Sequence, residues 1–190
     1  MNKLFRNYLT VFLVSSLAVA ASSCGDKEDE PAPVNEEQEL ITSVSITLEP
    51  VEKGHQTVTA TWSDPDGEGG ANPTISELHL DANTTYHATL GVLDESKTPT
   101  EDITEEITEK GYEHEFFFVP STGLNVTVTK TDADKNGRPI GLESDMITGE
   151  ASIGTFRIVL KHQPNLKNDT STINTGESDV DVTFPTTISN

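Results

Sequence analysis

Residues 43–49, SVSITLE, and 57–62, TVTATW, decide the fold. In the first, Val44, Ile46 and Leu48 alternate with Ser45, Thr47 and Glu49. In the second, Val58, Ala60 and Trp62 alternate with Thr57, Thr59 and Thr61. Successive side chains of a strand point to opposite faces, so a period of two gives a sheet one apolar and one polar face; an amphipathic helix needs about 3.6. The same period returns along the chain. Tyr86, Ala88, Leu90 and Val92 make one apolar face, Val126 and Val128 a second, and Phe156, Ile158 and Leu160 a third. Val180, Val182 and Phe184 complete the series, opposite Asp179, Asp181 and Thr183. Turn clusters separate the runs: Pro65-Asp66-Gly67, Asp81-Ala82-Asn83, Ser121-Thr122-Gly123 and Asn136-Gly137. The pattern predicts an all-β, antiparallel immunoglobulin-like sandwich of about seven to nine strands over residues 41–190. One segment breaks the period. In residues 101–110, EDITEEITEK, Ile103 and Ile107 stand four apart among acids that suit a first helical turn, which predicts a short helix or crossover packed down by Ile107, Phe116 and Phe118, with Phe117 facing away. Residues 165–178 read as a polar loop.

Upstream of the domain the composition changes twice. Lys3 and Arg6 precede an apolar stretch from Leu9 to Ala21, too short to span a bilayer stably, which predicts an export signal over residues 1–23. Ala20-Ala21-Ser22-Ser23-Cys24 then has the form of a lipobox, whose small residues suit a peptidase's narrow subsites and whose thiol takes the lipid; the alternative is an ordinary secretory signal followed by a chance Cys. Cys24 is the sole cysteine of 190 residues, which suits an oxidising compartment in which a free thiol would be a liability. Acyl chains at Cys24 would anchor the protein to a membrane that it does not cross, each buried CH₂ contributing about 0.8 kcal/mol. Residues 24–40 hold seven acids and two prolines beside few apolar side chains, so they predict a disordered acidic tether.

The formal net charge is −20, from 12 basic and 32 acidic residues. Loss of residues 1–23 would remove two basic residues and no acid. Such a surface repels polyanions and lacks the Lys/Arg clusters that nucleic acids require, leaving a cation or a basic partner as the favoured company.

The strongest local motif is Asp132-Ala-Asp134-Lys-Asn136-Gly137-Arg-Pro-Ile-Gly-Leu-Glu143. It fits D-x-D-x-N-G-x5-E, in which oxygens at the first, third, fifth and twelfth positions surround a calcium ion and Gly makes the sharp turn. Its flanks are strand-like, so an ordinary EF-hand is excluded. Two readings stay open: a calcium-binding hairpin through Asp132, Asp134, Asn136 and Glu143, or a bare Asn136-Gly137 hairpin with a solvated acidic rim. Asp64, Asp66 and Glu68 make a weaker candidate in an acidic, glycine-rich turn. His79 and His87 flank the Asp81-Ala82-Asn83 turn and suggest a cross-strand metal pair, against a reading as surface side chains. His162 continues the Phe156, Ile158, Leu160 face as a strand-end residue, and His114, between Glu113 and Glu115, reads as a surface group. No serine-hydrolase elbow, zinc-protease motif or further cysteine is present, so the sequence predicts no enzyme; a secreted hydrolase would need perturbed carboxylates in a cleft.

The stretch LDANTTYHATLGVLDESKTPTEDITEEI, then EHEFFF, DADKNGRPIGLES, GTFRIVLKHQPN and ESDVDVTFPTTI, resembles a group of small Bacteroidota lipoproteins commonly labelled "type 1 periplasmic-binding fold superfamily protein". The resemblance implies an outer-membrane lipoprotein beside TonB-dependent receptors, and the acids after Cys24 resemble the surface-export signal of such proteins. The label itself implies a two-domain α/β fold, whereas the period of two predicts all-β. Together these readings lead to a non-enzymatic, lipid-anchored ligand-binding or accessory module, cell-surface exposed or else on the periplasmic leaflet. A calcium-stabilised structural or adhesive module is the alternative.

Overall fold

The computed structural model describes residues 40–67 and 69–190; the export signal, Cys24 and residues 24–39 of the tether lie outside the described residues. The described residues belong to one compact unit. Its elements are β1 (Ser43–Pro50), β2 (Val58–Ser63), β3 (Thr74–Ile75), β4 (Leu78–Asp81), β5 (Thr85–Asp94), β6 (Glu101–Asp102), α1 (Ile103–Glu109), β7 (His114–Pro120), β8 (Val126–Lys130), β9 (Glu143–Thr148), β10 (Ser152–His162) and β11 (Glu177–Ser189).

Seven strands form one sheet in the order β3-β2-β1-β5-β9-β8, with β6 on the end of β5, and four form the other in the order β4-β11-β10-β7. The chain is therefore an all-β sandwich, as the alternation predicts. Two details differ. Eleven strands replace the expected seven to nine because two-residue pairings at β3 and β6 extend the first sheet, and β4 joins β11 in parallel in an otherwise antiparallel structure. The two-domain α/β fold that the family label implies is not the fold of this chain: among the described residues there is a single helix of seven residues.

The opening stretches explain the architecture. Val44, Ile46 and Leu48 of β1 are fully buried, and β1 pairs with β2 on one side and β5 on the other, so the first sheet grows around it. Phe116, Phe156, Ile158, Leu160, Val182 and Phe184 face them from the second sheet in one continuous core. Burying each such side chain contributes about 1.5–3 kcal/mol, which makes this interface the main source of stability. The helix is short but well fixed. Asp102 caps it by accepting from the Thr104 amide, Ile103 and Ile107 are buried, and the Thr104 hydroxyl bonds both the amide and the carbonyl of Val92 on β5. Phe117 faces away from the core, as predicted, under the Lys130 ammonium 4.3 Å from its ring centroid. No helix among the described residues is long and apolar enough to cross a membrane.

Candidate functional site

The β8–β9 connection carries the calcium-type motif, and its carboxylates are already engaged. Asp132 accepts from the amides of Gly141 at 2.7 Å and Leu142 at 2.8 Å, one through each oxygen. Asp134 Oδ1 accepts from the amides of Asn136 at 2.8 Å and Arg138 at 2.9 Å, which shapes the turn through Gly137, whose φ is +78°. Asp134 Oδ2 lies 3.3 Å from Lys167 Nζ, an ion pair rather than an aligned hydrogen bond, with both side chains 1% exposed. Lys167 also donates to the carbonyls of Gly111 at 2.6 Å and His114 at 2.9 Å. Burial alone would raise the Asp134 carboxyl; the Arg138 and Asn136 amides and the Lys167 charge outweigh it and hold the carboxyl below its usual range. Burial pulls the Lys167 ammonium below its usual range despite Asp134.

The hairpin of the sequence reading is present, and the cation beside Asp134 belongs to the chain. A calcium loop directs its first, third, fifth and twelfth oxygens at one point. Here Asp132, Asp134 and Glu143 do not converge to within ligand distance of one another, Asn136 contributes its amide to the turn, and Glu143 is exposed at the start of β9. Backbone amides on Asp132 and on Asp134 Oδ1, and the Lys167 ammonium beside Asp134 Oδ2, hold these carboxylates toward the chain itself. Lys167 gave no sequence signal because it sits in the polar segment 165–178, far along the chain from Asp134.

In the second acidic turn the Asp64 and Asp66 side chains interact with each other. Asp66 Oδ2 accepts from the Ala71 amide at 2.8 Å, which keeps its carboxyl low, Asp64 turns toward a groove, and Glu68 lies outside the described residues. That groove, of about 590 Å³, runs between the start of the domain and β11; Ile41, Trp62, Asp64, Asp179, Asp181 and Val182 are among its walls. Asp64 Oδ1 is buried there without a hydrogen-bond partner.

His79 and His87 do not pair, because β4 and β5 belong to different sheets; His79 lies 3.5 Å from Glu77 and His87 3.7 Å from Asp145. The histidines that do meet are His114 and His162. His114 stands directly opposite His162 in the β7–β10 register, and their rings stack with centroids 4.8 Å apart and 10° between planes. On β10–β11 the register jumps: Leu160 pairs with Val180 but Lys161 with Ser178, which leaves Asp179 as the extra residue of a β-bulge. Bulges re-aim side chains, and the Asp179 carboxylate lies 3.7 Å from His114 Nε2. Gly176 helps β11 approach: its φ is +71°, and a Cβ there would run into the His162 carbonyl oxygen.

This cluster is sheltered, with the His114 and Asp179 side chains 11% and 14% exposed. Burial, with repulsion from His162, pulls the His114 imidazole down to about 4, against the opposing Lys110 carbonyl. Burial pushes the Asp179 carboxyl up to about 6, against the attraction of His162 and Lys161. Among the described residues it is the one group of three His, Cys, Asp or Glu side chains whose ligand atoms all lie within 4.8 Å of one another. The sequence did contain half of the signal, since His114 is in phase with Phe116 and Phe118; flanking acids masked it. No family model, curated protein or solved structure matches the chain.

Proposed function

We propose that the protein is a lipid-anchored, non-enzymatic binding module of the outer membrane, attached through Cys24 and acting beside a TonB-dependent transporter. The observation that carries the binding role is the groove along β11, where Trp62, Ile41 and Val182 offer apolar surface beside the acidic residues Asp64 and Asp179, while Asp181, which also lines it, has both carboxylate oxygens on Arg157. Binding pockets commonly combine an apolar lining with a few placed polar groups. An acidic wall selects ligands that carry donors or positive charge and discourages polyanions. The address rests on residues 1–40 and their resemblance to surface lipoproteins. Reading the domain as calcium-stabilised is less well supported, because Asp132 and Asp134 are engaged internally.

Three measurements test the proposal. Mass spectrometry of the N-terminal peptide is expected to find diacylglycerol on Cys24, and protease added to intact cells is expected to remove the domain; an unlipidated protein overturns the address. Isolation from detergent-solubilised native membranes is expected to recover a TonB-dependent receptor with wild type, and far less of it with Trp62→Ala. Equal recovery, or none with wild type, overturns the accessory role.

A further inference from the structure

We propose that His114, His162 and Asp179 form a binding site for a borderline divalent transition metal of the zinc class. Three independent pieces of backbone architecture deliver the donors. Strand pairing sets His114 opposite His162, the bulge supplies Asp179, and the turn after α1 fixes the tautomer of His114. In that turn His114 Nδ1 lies 3.1 Å from the Lys110 carbonyl oxygen. A carbonyl only accepts, so Nδ1 carries the proton in the neutral ring and the lone pair is on Nε2, the nitrogen that faces Asp179. Ligating histidines are oriented in this way in metal sites, with the second nitrogen donating to a carbonyl or carboxylate.

The donors are near enough for an ion once the two rings leave their stack. Donors bound at about 2.0–2.2 Å to a tetrahedral ion stand roughly 3.3 Å apart. Here one pair is 3.7 Å apart and all three lie within 4.8 Å, but the imidazoles are stacked 10° from parallel, so both rings rotate out of the stack about χ2 to aim their in-plane lone pairs at one ion. Two imidazole nitrogens with one carboxylate select zinc, nickel, copper or ferrous iron over calcium and magnesium, which prefer oxygen alone. Three protein donors leave at least one coordination position open. Asp179 is also a wall of the groove, so the ion would border the place where a ligand is proposed to lie. Metal binding itself does not depend on the groove being occupied.

The test uses the full protein stripped with chelator, with zinc chloride and cobalt chloride as probes and calcium chloride as the hard-ion control. Calorimetry is expected to give one zinc per chain, and cobalt a visible absorption band of nitrogen and oxygen ligation. Asp179→Asn keeps the shape of the side chain and is expected to weaken zinc by roughly tenfold or more, given that even outer partners of a metal change affinity 10–100-fold. His162→Ala is expected to abolish the cobalt band, while His79→Ala and His87→Ala leave both readouts unchanged. Circular dichroism establishes that each variant is folded. Absence of zinc and cobalt binding by the wild type, binding unchanged in both Asp179→Asn and His162→Ala, or calcium binding of equal strength overturns the proposal. Because Trp62 is not a donor, Trp62→Ala is expected to bind zinc as wild type does, so failure of the groove reading and failure of the metal site are distinguishable.

Discussion

The β8–β9 loop around Asp134 and the end of the second sheet around His114 both bury carboxylates and cationic or titratable groups, but they satisfy them differently. In the loop every partner is present: four backbone amides bind Asp132 and Asp134, and the Lys167 ammonium is held by one carboxylate and two carbonyls. At the sheet end three ligand atoms gather within 4.8 Å; burial is the largest effect in both places, but at Asp134 amides and the Lys167 charge outweigh it, whereas at His114 and Asp179 it prevails. The difference separates structure from function. A saturated polar cluster organises its own chain, whereas a desolvated donor set is the arrangement from which binding sites are made.

Breaking the saturated side should have the largest effect. Lys167→Met leaves the Asp134 charge buried without its partner and is expected to cost about 3–5 kcal/mol, read by urea denaturation. Adding Asp134→Asn is expected to recover most of that loss, because the acceptor for Asn136 and Arg138 is kept while the stranded charge is removed. Equal destabilisation in the single and double variants would mean that Lys167 acts through packing alone.

The sheet end is sharpened by acid, measured in the presence of chelator. His114 is lowered to about 4 from 6.5, so as pH falls the unfolded chain takes up the proton first and stability is lost between 6.5 and about 4. Asp179 is raised to about 6 from 3.8, so there the folded chain is protonated first and stability is gained as pH falls from about 6 to 3.8. The two effects oppose each other across most of that window. Asp179→Asn removes only the second, and is expected to expose a loss on the order of 3 kcal/mol between pH 6.5 and 4 relative to wild type. Parallel pH profiles for the two proteins would refute this account of the pair.

A smaller effect concerns calcium. Addition at millimolar concentration is expected to leave the melting temperatures of wild type and Asp134→Ala unshifted, while the same scan with zinc raises that of wild type. The smallest effect belongs to Arg157 and Asp181, bonded at 2.6 and 2.5 Å on the open face with side chains 42% and 43% exposed. Arg157→Ala is expected to cost about 1 kcal/mol or less by the same denaturation measurement, since exposed pairs are screened by water and salt.

The legible part of this protein was what neighbouring residues decide. Alternation exposed the strands, the Ile103–Ile107 spacing exposed the helix, and Asn136-Gly137 exposed the hairpin, because each is a short-range preference. What stayed hidden depended on register and on distant partners. Asp179 reads as an outward residue beside Asp181 until the bulge adds one position to β11. Lys167 reads as one more polar loop residue until Gly111, His114 and Asp134 surround it. Likewise His79 and His87 look like hairpin neighbours because sequence does not reveal that the turn between them crosses from one sheet to the other.

The place of β11 has a consequence for the order in which the protein can be made. This strand lies between β10 and β4, so β4, early in the domain, has nothing else to pair with in its own sheet and must wait for a strand far downstream. Such pairing across the length of a chain is slow compared with local contacts. The second sheet therefore cannot be completed before β11 is available, whereas β1, β2, β5, β8 and β9 pair among themselves without it. The topology thus makes the second sheet, and with it the His114–Asp179 cluster, the part of the domain whose assembly waits on the most distant pairing.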